Sequence, residues 1–256
     1  IGLSCARALA AAGYRVLTLD INVEAVAAFE AEFGEGTAVV CDVSHPAQVE
    51  TAFASLMGAC DRVDVLLNNA GIAGPQQPVE EIEVEAWQST INTDLNSLFY
   101  LTRLVIPLMK LQRSGVILNM SSSAGRYGCP LRSPYVASKW AAIGLAQTWA
   151  MELGPWNIRV NVLCPGSVGG ERIERVIQRD AEERGVSAED IRTVYQRQSS
   201  LRDFASAEDI AAMVCFLSGP GGRMVSGQTI GIDGHTESLT NCLLYTSPSP
   251  RDAIPS

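Results

Sequence analysis

The sequence is poor in the residues that build metal sites and nucleic-acid interfaces. It has only two histidines, His45 and His235, and none of its seven cysteines stands in a Cys-x-x-Cys pair, so we expect no metal site. The cysteines are then small buried thiols in a reducing compartment, the cytoplasm. Lysine and arginine number 19 against 28 acidic residues, which gives a formal net charge of -9. We therefore expect no nucleic-acid partner and no anionic membrane surface as a partner.

The sequence also lacks an apolar run long enough for a membrane span. Its most apolar stretch, residues 140–151, is far shorter than the roughly 20 residues that cross a bilayer. Residues 1–16 carry Arg7 within an apolar pattern and show no cleavage site, which favours a helix and a strand over a signal peptide. With 256 residues, 47% of them hydrophobic, the chain can bury one substantial core.

The start of the chain departs from the usual order of an α/β domain. It begins directly in a helical pattern, with Leu3, Ala6, Leu9 and Ala10 on one face. Nothing before this helix supplies the strand that it would follow. We therefore expect the chain to be truncated at its amino terminus and to lack the first strand of its sheet.

The end of the chain is unusual as well. Residues 242–252, CLLYTSPSPRD, resemble one reading frame of the adapter used in transposase-based sequencing libraries. A genuine disordered tail rich in serine and proline is the alternative. We expect one domain at residues 1–240 and a non-native or disordered tail at residues 241–256.

Between the two ends, strand-like and helix-like segments alternate. Strands are predicted at residues 15–20, 37–41, 63–67, 116–120, 158–163 and 228–232. Helices are predicted at residues 23–33, 46–59, 84–111, 134–153, 171–198 and 207–217. This alternation produces βαβ units, and it therefore predicts a single-domain α/β fold with a doubly wound parallel sheet.

A tyrosine, a lysine and a serine are the candidate catalytic residues. Tyr135 and Lys139 stand one turn apart on the same face of a predicted helix, where an ammonium can favour the phenolate for proton transfer. Ser122 follows a predicted strand, and its hydroxyl can hold a substrate oxygen there. Taken singly, these features are equally typical of a solvated helix face and of a turn.

Four motifs in a fixed order strengthen the chemical interpretation. They are Asn68-Asn69-Ala70-Gly71, residues 119–125 (NMSSSAG), residues 135–139 (YVASK) and residues 161–166 (NVLCPG). Together they resemble the short-chain dehydrogenase/reductase family, classical type, from Ile1 to about Leu239. The resemblance implies a Rossmann-type sheet and an NAD-dependent oxidoreductase that interconverts a secondary alcohol and a ketone by hydride transfer.

The resemblance also selects the catalytic serine. In the family this serine stands thirteen residues before the tyrosine and three before the glycine, and both counts lead to Ser122. By the same comparison, Tyr135 is the general acid/base, and Lys139 binds the nicotinamide ribose.

Further residues of the motifs are implied to support the cofactor. Asn68, Ala70 and Gly71 stand on the cofactor side of the sheet, and Pro165 with Gly166 begins the loop that meets the nicotinamide and the substrate.

Two aspartates are implied to face the adenosine half of the cofactor. A carboxylate at Asp20, at the end of a strand, accepts from both ribose hydroxyls and repels a 2′-phosphate, which implies NAD rather than NADP. Capping of the next helix is the alternative role of Asp20, and the two roles are compatible. Asp42 matches the family position that meets the adenine ring, and a turn residue is the alternative.

The glycine-rich phosphate loop of the family is incomplete in this sequence. Of the pattern Gly-x-x-x-Gly-x-Gly only the last glycine, Gly2, is present. The family strand order is 3-2-1-4-5-6-7, so the expected sheet lacks its central strand. We therefore expect the 256-residue polypeptide by itself to fold poorly and to bind NAD weakly, and its parent to be active.

The family's catalytic asparagine is replaced. It stands seven residues after a tryptophan and five before a phenylalanine, and Trp87 and Phe99 place it at Asp94. The asparagines two residues to either side would point elsewhere on the helix. A carboxylate can still accept from a water linked to Lys139, so our hypothesis is that Asp94 replaces the asparagine in the proton relay.

The sequence does not define the substrate, beyond a small-molecule alcohol or ketone. It would lie among residues 74–77, residues 129–132 and a mobile lid at residues 171–201. Arg126 and Arg132 fit a polar or anionic substrate and fit an exposed surface equally well.

Two other functions stay open. A non-catalytic NAD-binding sensor or scaffold can use the same fold, although it has no use for an intact serine, tyrosine and lysine. An NADPH-dependent 3-oxoacyl carrier reductase is the other, and Asp20 counts against it. The family further implies a homotetramer or homodimer, formed through the helices predicted at residues 84–111 and 134–153.

Overall fold

Parallel strands alternate with helices along the chain, as the sequence predicts. The computed structural model describes residues 1–58 and 60–239, so the expected tail at residues 241–256 lies outside the described residues. The strands are β1 Thr18–Asp20, β2 Ala38–Val40, β3 Val65–Asn68, β4 Gly115–Met120, β5 Ile158–Pro165 and β6 Thr229–Ile232. The helices are α1 Gly2–Ala11, α2 Val23–Phe33, α3 Pro46–Met57, α4 Val84–Ile91, α5 Ser97–Gln112, α6 Ser133–Leu153, α7 Glu171–Arg184, α8 Ala188–Gln196 and α9 Ala207–Ser218.

The strands form two parallel sheets. β1 pairs with β2, and the second sheet has the order β3-β4-β5-β6. A cavity of about 990 Å³ separates the sheets, and it is lined by β1, β3 and one side of α1. Across this cavity β1 lies opposite β3, so the strands follow one another in the order β2-β1 and then β3-β4-β5-β6.

The core lies on both faces of the larger sheet. All six residues of β4 are buried, and its side chains alternate between the faces. Ile117 packs with Val160 against α5 and α6, whereas Leu118 packs with Leu163 against α1 and α9. Full burial of such side chains stabilises the fold by roughly 1.5–3 kcal/mol each. The sheet is therefore a rigid platform for the loops at its carboxyl edge.

Two predicted helices are in fact interrupted. The helix expected at residues 84–111 contains a π-helical turn, Asn92–Asn96, between α4 and α5. The helix expected at residues 171–198 is two helices, because Gly185 adopts a left-handed conformation (φ 65°) and Ser187 caps α8 by accepting a hydrogen bond from the Asp190 N–H. The helical prediction at residues 84–111 is therefore confirmed, with a π-helical turn inside it, whereas the prediction of one helix at residues 171–198 was wrong.

The buried face of α1 also differs slightly from the prediction. Leu3 is exposed, and Cys5 is fully buried together with Ala6 and Leu9. The reason is that α1 packs against α9 through a stripe centred on Cys5 and Leu9, one helical turn apart.

Candidate active site

Three consecutive serines follow β4, and the structure distinguishes them. Ser121 and Ser123 are each only 4% exposed, and the Ser121 hydroxyl donates to the backbone oxygen of Lys139 at 2.7 Å. Ser122 is half-buried, and its Oγ accepts a hydrogen bond from the Ala124 N–H at 3.2 Å. Its hydroxyl is thus the one at this edge of the sheet that keeps access to a ligand.

A glycine holds the serine turn against α6. A Cβ atom at Gly125 would lie 2.7 Å from the Lys139 backbone oxygen and 2.3 Å from the Ser121 hydroxyl. No side chain fits there, so the turn after β4 approaches the Lys139 backbone closely. This contact sets the distance between the serine segment and the helix that carries Tyr135.

Tyr135 and Lys139 lie in the first two turns of α6. Pro134 occupies the first turn, where the missing N–H costs no helical hydrogen bond. The Lys139 ammonium lies 5.3 Å from the centroid of the Tyr135 ring and donates to the Met120 backbone oxygen at 3.3 Å. The lysine is 4% exposed, so its charge acts on Tyr135 with little screening by water.

Asp94 is the counter-charge of Lys139. It lies in the π-helical turn, is fully buried, and its Oδ2 is 3.3 Å from the Lys139 Nζ. Its Oδ1 accepts a hydrogen bond from the Ile72 N–H at 2.7 Å. The flanking Asn92 and Asn96 bond to each other at 2.7 Å, so Asp94 is the residue of this turn that meets the lysine.

The motif after β3 surrounds this ion pair. A Cβ atom at Gly71 would lie 3.2 Å from the Lys139 Nζ and 3.3 Å from Asp94, so a larger residue would press on the pair. Asn68 is buried, and its amide donates to the Asn119 side chain at 2.9 Å and to the Thr102 hydroxyl at 3.2 Å. Because this amide is used within the sheet, any support that Asn68 gives to a cofactor is indirect.

The two aspartates predicted for the adenosine half lie at the ends of β1 and β2. Asp20 is exposed and accepts a hydrogen bond from the Asn22 N–H at 2.9 Å. The cap of α2 is the Asn22 side chain, which accepts from the Ala25 N–H at 2.8 Å, so Asp20 does not cap this helix itself. One Asp20 oxygen thus orients the turn, and the carboxylate remains open to solvent.

Asp42 belongs to a polar turn after β2. Its Oδ1 accepts from the Ser44 N–H at 2.9 Å and from the Ser44 hydroxyl at 2.7 Å, and His45 lies 3.1 Å from its other oxygen. Burial acts to raise the pKa of Asp42, but these hydrogen bonds and His45 hold the pKa below its ordinary value. Asp42 is thus a turn residue, and this role leaves the predicted adenine contact open.

The residues at this edge fit an extended dinucleotide. The open Asp20 carboxylate ends β1, and the site of Lys139 and Asp94 lies beyond β3 and β4. At Gly71 the backbone approaches Lys139 so closely that a Cβ atom would lie 3.2 Å from its Nζ, and at Gly2 a Cβ would come within 2.9 Å of the Asn69 amide. Residues with the expected chemistry for a ribose and for a nicotinamide therefore stand at the carboxyl ends of parallel strands, where nucleotides bind.

The loop after β5 is packed tightly. Pro165 is buried at the end of β5, and a Cβ atom at Gly166 would lie 2.9 Å from the Asp233 Cβ. Arg126 stands beside the same aspartate, 3.6 Å from its Oδ2, and forms an ion pair with it.

Arg132 has contacts that the sequence did not reveal. Its Nη2 donates to the Ala73 backbone oxygen at 2.9 Å, and its guanidinium lies 4.8 Å from the centroid of the Tyr135 ring. Arg132 is the N-cap residue of α6, three residues before the tyrosine, and this short spacing is the signal that was available. Arg132 is therefore part of the site and not an exposed surface charge.

The segment predicted to be a lid forms a small helical unit. α7 and α8 pack through Ile177, Ala181 and Ile191, and the Tyr195 hydroxyl donates to the buried Asp180 at 2.9 Å. From α7, the Arg179 guanidinium donates to the Gln76 side chain at 2.7 Å, so α7 contacts the loop that follows β3.

Residues 1–58 and 60–239 contain neither a candidate metal site nor a candidate membrane-spanning helix. Within these residues no group of three or more histidine, cysteine, aspartate or glutamate side chains could hold a metal ion. Nor does any helix there have the length and apolar character that crossing a bilayer requires.

Comparison with known proteins identifies the family. The family model described as enoyl-(acyl carrier protein) reductase matches residues 1–235. A 3-oxoacyl-[acyl-carrier-protein] reductase FabG of Thermotoga maritima is 35% identical over 238 residues, with 91% of this chain and 92% of the relative covered. A D-beta-hydroxybutyrate dehydrogenase of Rhizobium meliloti is 30% identical over 241 residues, with 91% and 93% covered.

A solved structure agrees with these relatives. The crystal structure of an NAD+-bound xylitol dehydrogenase superposes with a TM-score of 0.83 at 30% identity, covering 90% of this chain and 92% of the other. Matches in sequence and in fold thus extend along nearly all of the described residues. On this basis the chain belongs to the short-chain dehydrogenase/reductase family, and it is an oxidoreductase of the class that acts on CH–OH groups.

Proposed function

We propose that this enzyme is an NAD-dependent dehydrogenase that interconverts a secondary alcohol and a ketone, with Tyr135 as the general acid/base. The observation that carries the proposal is the convergence of three groups at the carboxyl edge of the sheet. The half-buried Ser122 ends the turn after β4, and the Lys139 ammonium stands 5.3 Å from the Tyr135 ring.

In the oxidation direction, the chemistry divides between these side chains. The Ser122 hydroxyl holds the substrate oxygen, and the Tyr135 phenolate takes the proton of the alcohol as the carbonyl forms. Bound NAD would supply the acceptor for the hydride that leaves the carbinol carbon. In the reduction direction Tyr135 returns the proton to the oxygen. Lys139 stabilises the phenolate in both directions, since its charge lies close to the ring and out of water.

Asp94 has the place of the asparagine that the family uses in its proton relay. Its buried carboxylate is the counter-charge of Lys139 and can accept from a water that connects the lysine to solvent. The Ile72 N–H fixes one oxygen, which leaves the other for the lysine. We therefore include Asp94 among the residues that handle protons, together with Ser122, Tyr135 and Lys139.

The cofactor would be held along the carboxyl edge. Asp20 would accept from the adenosine ribose, Asp42 would meet the adenine, and Gly2 would stand beside the pyrophosphate. At the other end Lys139 would meet the nicotinamide ribose, close to Ala70, Gly71, Pro165 and Gly166, with Asn68 behind it. The open Asp20 carboxylate supports NAD over NADP, because it would repel a 2′-phosphate.

A second candidate is an NADPH-dependent 3-oxoacyl carrier reductase. The relative of that name at 35% identity favours it. Asp20 opposes it, and the choice of cofactor separates the two functions. The third reading, a non-catalytic NAD-binding sensor, is opposed by the intact Ser122, Tyr135 and Lys139.

The remaining proposals concern the surroundings of the site. Exposed aromatic and long aliphatic side chains on the long helices support a homotetramer or homodimer: Trp87, Phe99, Leu111, Trp140 and Met151. We also propose a lid at residues 171–201 that closes over a small alcohol or ketone. The remaining two proposals are a single domain at residues 1–240 and a cytoplasmic location. The described cysteines, all of them free thiols, are compatible with that location.

The experiment is an oxidation assay of the protein. Secondary alcohols, sugars and hydroxysteroids are offered with NAD and with NADP, and formation of the reduced nicotinamide is followed by absorbance. We expect turnover with at least one class, faster with NAD. Turnover confined to NADPH and 3-oxoacyl carriers would favour the second candidate, and NAD binding without turnover on any substrate would favour the sensor.

A further inference from the structure

Two cations contact the ring of Tyr135, and they come from opposite directions along α6. Lys139 stands four residues after the tyrosine, with its Nζ 5.3 Å from the ring centroid. Arg132 stands three residues before it, with its guanidinium carbon 4.8 Å from the same centroid. Cations at such distances are attracted to an aromatic face, and a phenolate attracts them more strongly than a neutral phenol does.

The two cations differ in how they are neutralised. The buried carboxylate of Asp94 lies 3.3 Å from Lys139, so the lysine acts on Tyr135 as one half of an ion pair. Among the described residues no carboxylate forms an ion pair with Arg132, whose Nη2 instead donates to the neutral Ala73 backbone oxygen at 2.9 Å. The uncompensated positive charge at the tyrosine ring therefore comes from Arg132.

The position of Arg132 is fixed as well. Its Nε is buried and has no hydrogen-bond partner, and its Nη2 is bonded to Ala73 in the loop after β3. The same two segments are joined by a second hydrogen bond, from the Gln77 N–H to the Leu131 oxygen at 3.0 Å. The hydrogen bond to Ala73 and the ring contact thus hold the guanidinium beside Tyr135.

We propose that Arg132 is a positioning residue for Tyr135, one that stabilises the phenolate in place of the charge that Asp94 removes from Lys139. The proposal rests on the proposed function of Tyr135 as the general acid/base. In an enzyme with an uncharged asparagine at position 94, Lys139 alone would supply this field. Here the aspartate and the arginine act as a compensating pair around one tyrosine.

The charged and titratable groups near the ring are few. Lys139 faces it from α6, Arg132 faces it from the residue that precedes α6, and Asp94 acts from the π-helical turn through Lys139. Cys129 stands near Arg132 in the preceding loop, and burial raises the pKa of its thiol against the opposing effect of the arginine, so it adds no charge at neutral pH.

The test is the pH dependence of alcohol oxidation in Arg132→Gln, compared with wild type and with Arg132→Lys. Loss of the cation makes the phenolate harder to form, so the rising limb of kcat against pH moves upward by roughly half to one pH unit. Turnover of Arg132→Gln at neutral pH falls roughly three- to tenfold. At pH values above the rise of kcat, turnover of the variant equals that of wild type. The lysine variant restores the limb, and KM for NAD stays unchanged.

The control is Arg126→Gln, which removes an arginine of the same loop that is paired with Asp233. It leaves the limb in place. If the rise of kcat with pH does not move in Arg132→Gln, the proposal is overturned. A change confined to KM for the substrate overturns it as well, because Arg132 would then be a substrate-binding residue. If Arg132→Gln unfolds, the Arg132→Lys variant tests the proposal, because its kcat must rise over the same pH range as that of wild type. An inactive wild type, by contrast, would refute the proposed function itself.

Discussion

The carboxylate of Asp94 and the ammonium of Lys139 form an ion pair of 3.3 Å in which both side chains are almost completely buried. Such a pair serves a functional role rather than stability, because the cost of desolvating the two charges offsets most of their attraction. Removing one partner alone leaves an uncompensated charge in the interior. The pair stands directly beside Tyr135, so each prediction about its charge is also a prediction about proton transfer.

Asp94→Asn tests the charge of this pair. The amide keeps an oxygen for the Ile72 N–H and for a relay water, so we expect turnover to stay within roughly tenfold of wild type. Because the full charge of Lys139 then favours the phenolate, the rising limb of the pH profile moves to lower pH. Steady-state kinetics across the pH range measures both effects. A collapse of turnover would show that the carboxylate has a role of its own.

Asp94→Ala is a matched test of stability. It leaves the Lys139 ammonium buried without its partner, and we expect a loss of roughly 3–5 kcal/mol in the free energy of unfolding. Denaturant titration measures this loss. Wild-type stability in Asp94→Ala would mean that water reaches the lysine and that the pair is not shielded as described.

Ser122→Ala tests the assignment among three serines. Without its hydroxyl the substrate oxygen loses a hydrogen bond, so we expect kcat to fall roughly 10²- to 10³-fold. Ser123→Ala is the control, because its side chain is buried one residue further on, and it should retain activity within a few-fold. Equal losses in both variants would point to the turn as a whole and contradict the assignment.

Asp20→Ala tests the choice of cofactor. The carboxylate is exposed at the end of β1, so its removal should relieve repulsion of a 2′-phosphate. We expect the ratio of kcat/KM for NADP to that for NAD to rise at least roughly tenfold, since a charge of this kind contributes over 1.4 kcal/mol. Glu24→Ala, another acid near the start of α2, is the control. An unchanged ratio would remove Asp20 from the cofactor site.

The sequence predicts this fold well where the signals are local and periodic. The run that forms β4 is largely apolar on both faces, and α2 lies where its pattern places it, at Val23–Phe33. The spacing of the motifs predicts which of the three serines is the candidate catalytic one, and it predicts the tyrosine and the lysine. The position of Asp94 beside Lys139 could also be deduced by counting from Trp87 and Phe99.

What the sequence could not predict depends on contacts between distant segments. The π-helical turn at Asn92–Asn96 has no composition signal, and it orients Asp94 toward a lysine on another helix. The clamp on Arg132 depends on Ala73, 59 residues away. Gly185 breaks the predicted lid helix because its conformation is left-handed, which periodicity alone did not reveal. Long-range packing decides all three.

The central claim is that Tyr135 moves the proton while NAD accepts the hydride. The most direct measurement compares Tyr135→Phe with wild type in NAD-dependent oxidation of the best alcohol of the panel, with NAD affinity measured alongside. We predict that kcat falls roughly 10²- to 10⁴-fold while the dissociation constant for NAD changes little. A phenylalanine variant that turns over at the wild-type rate would contradict the account.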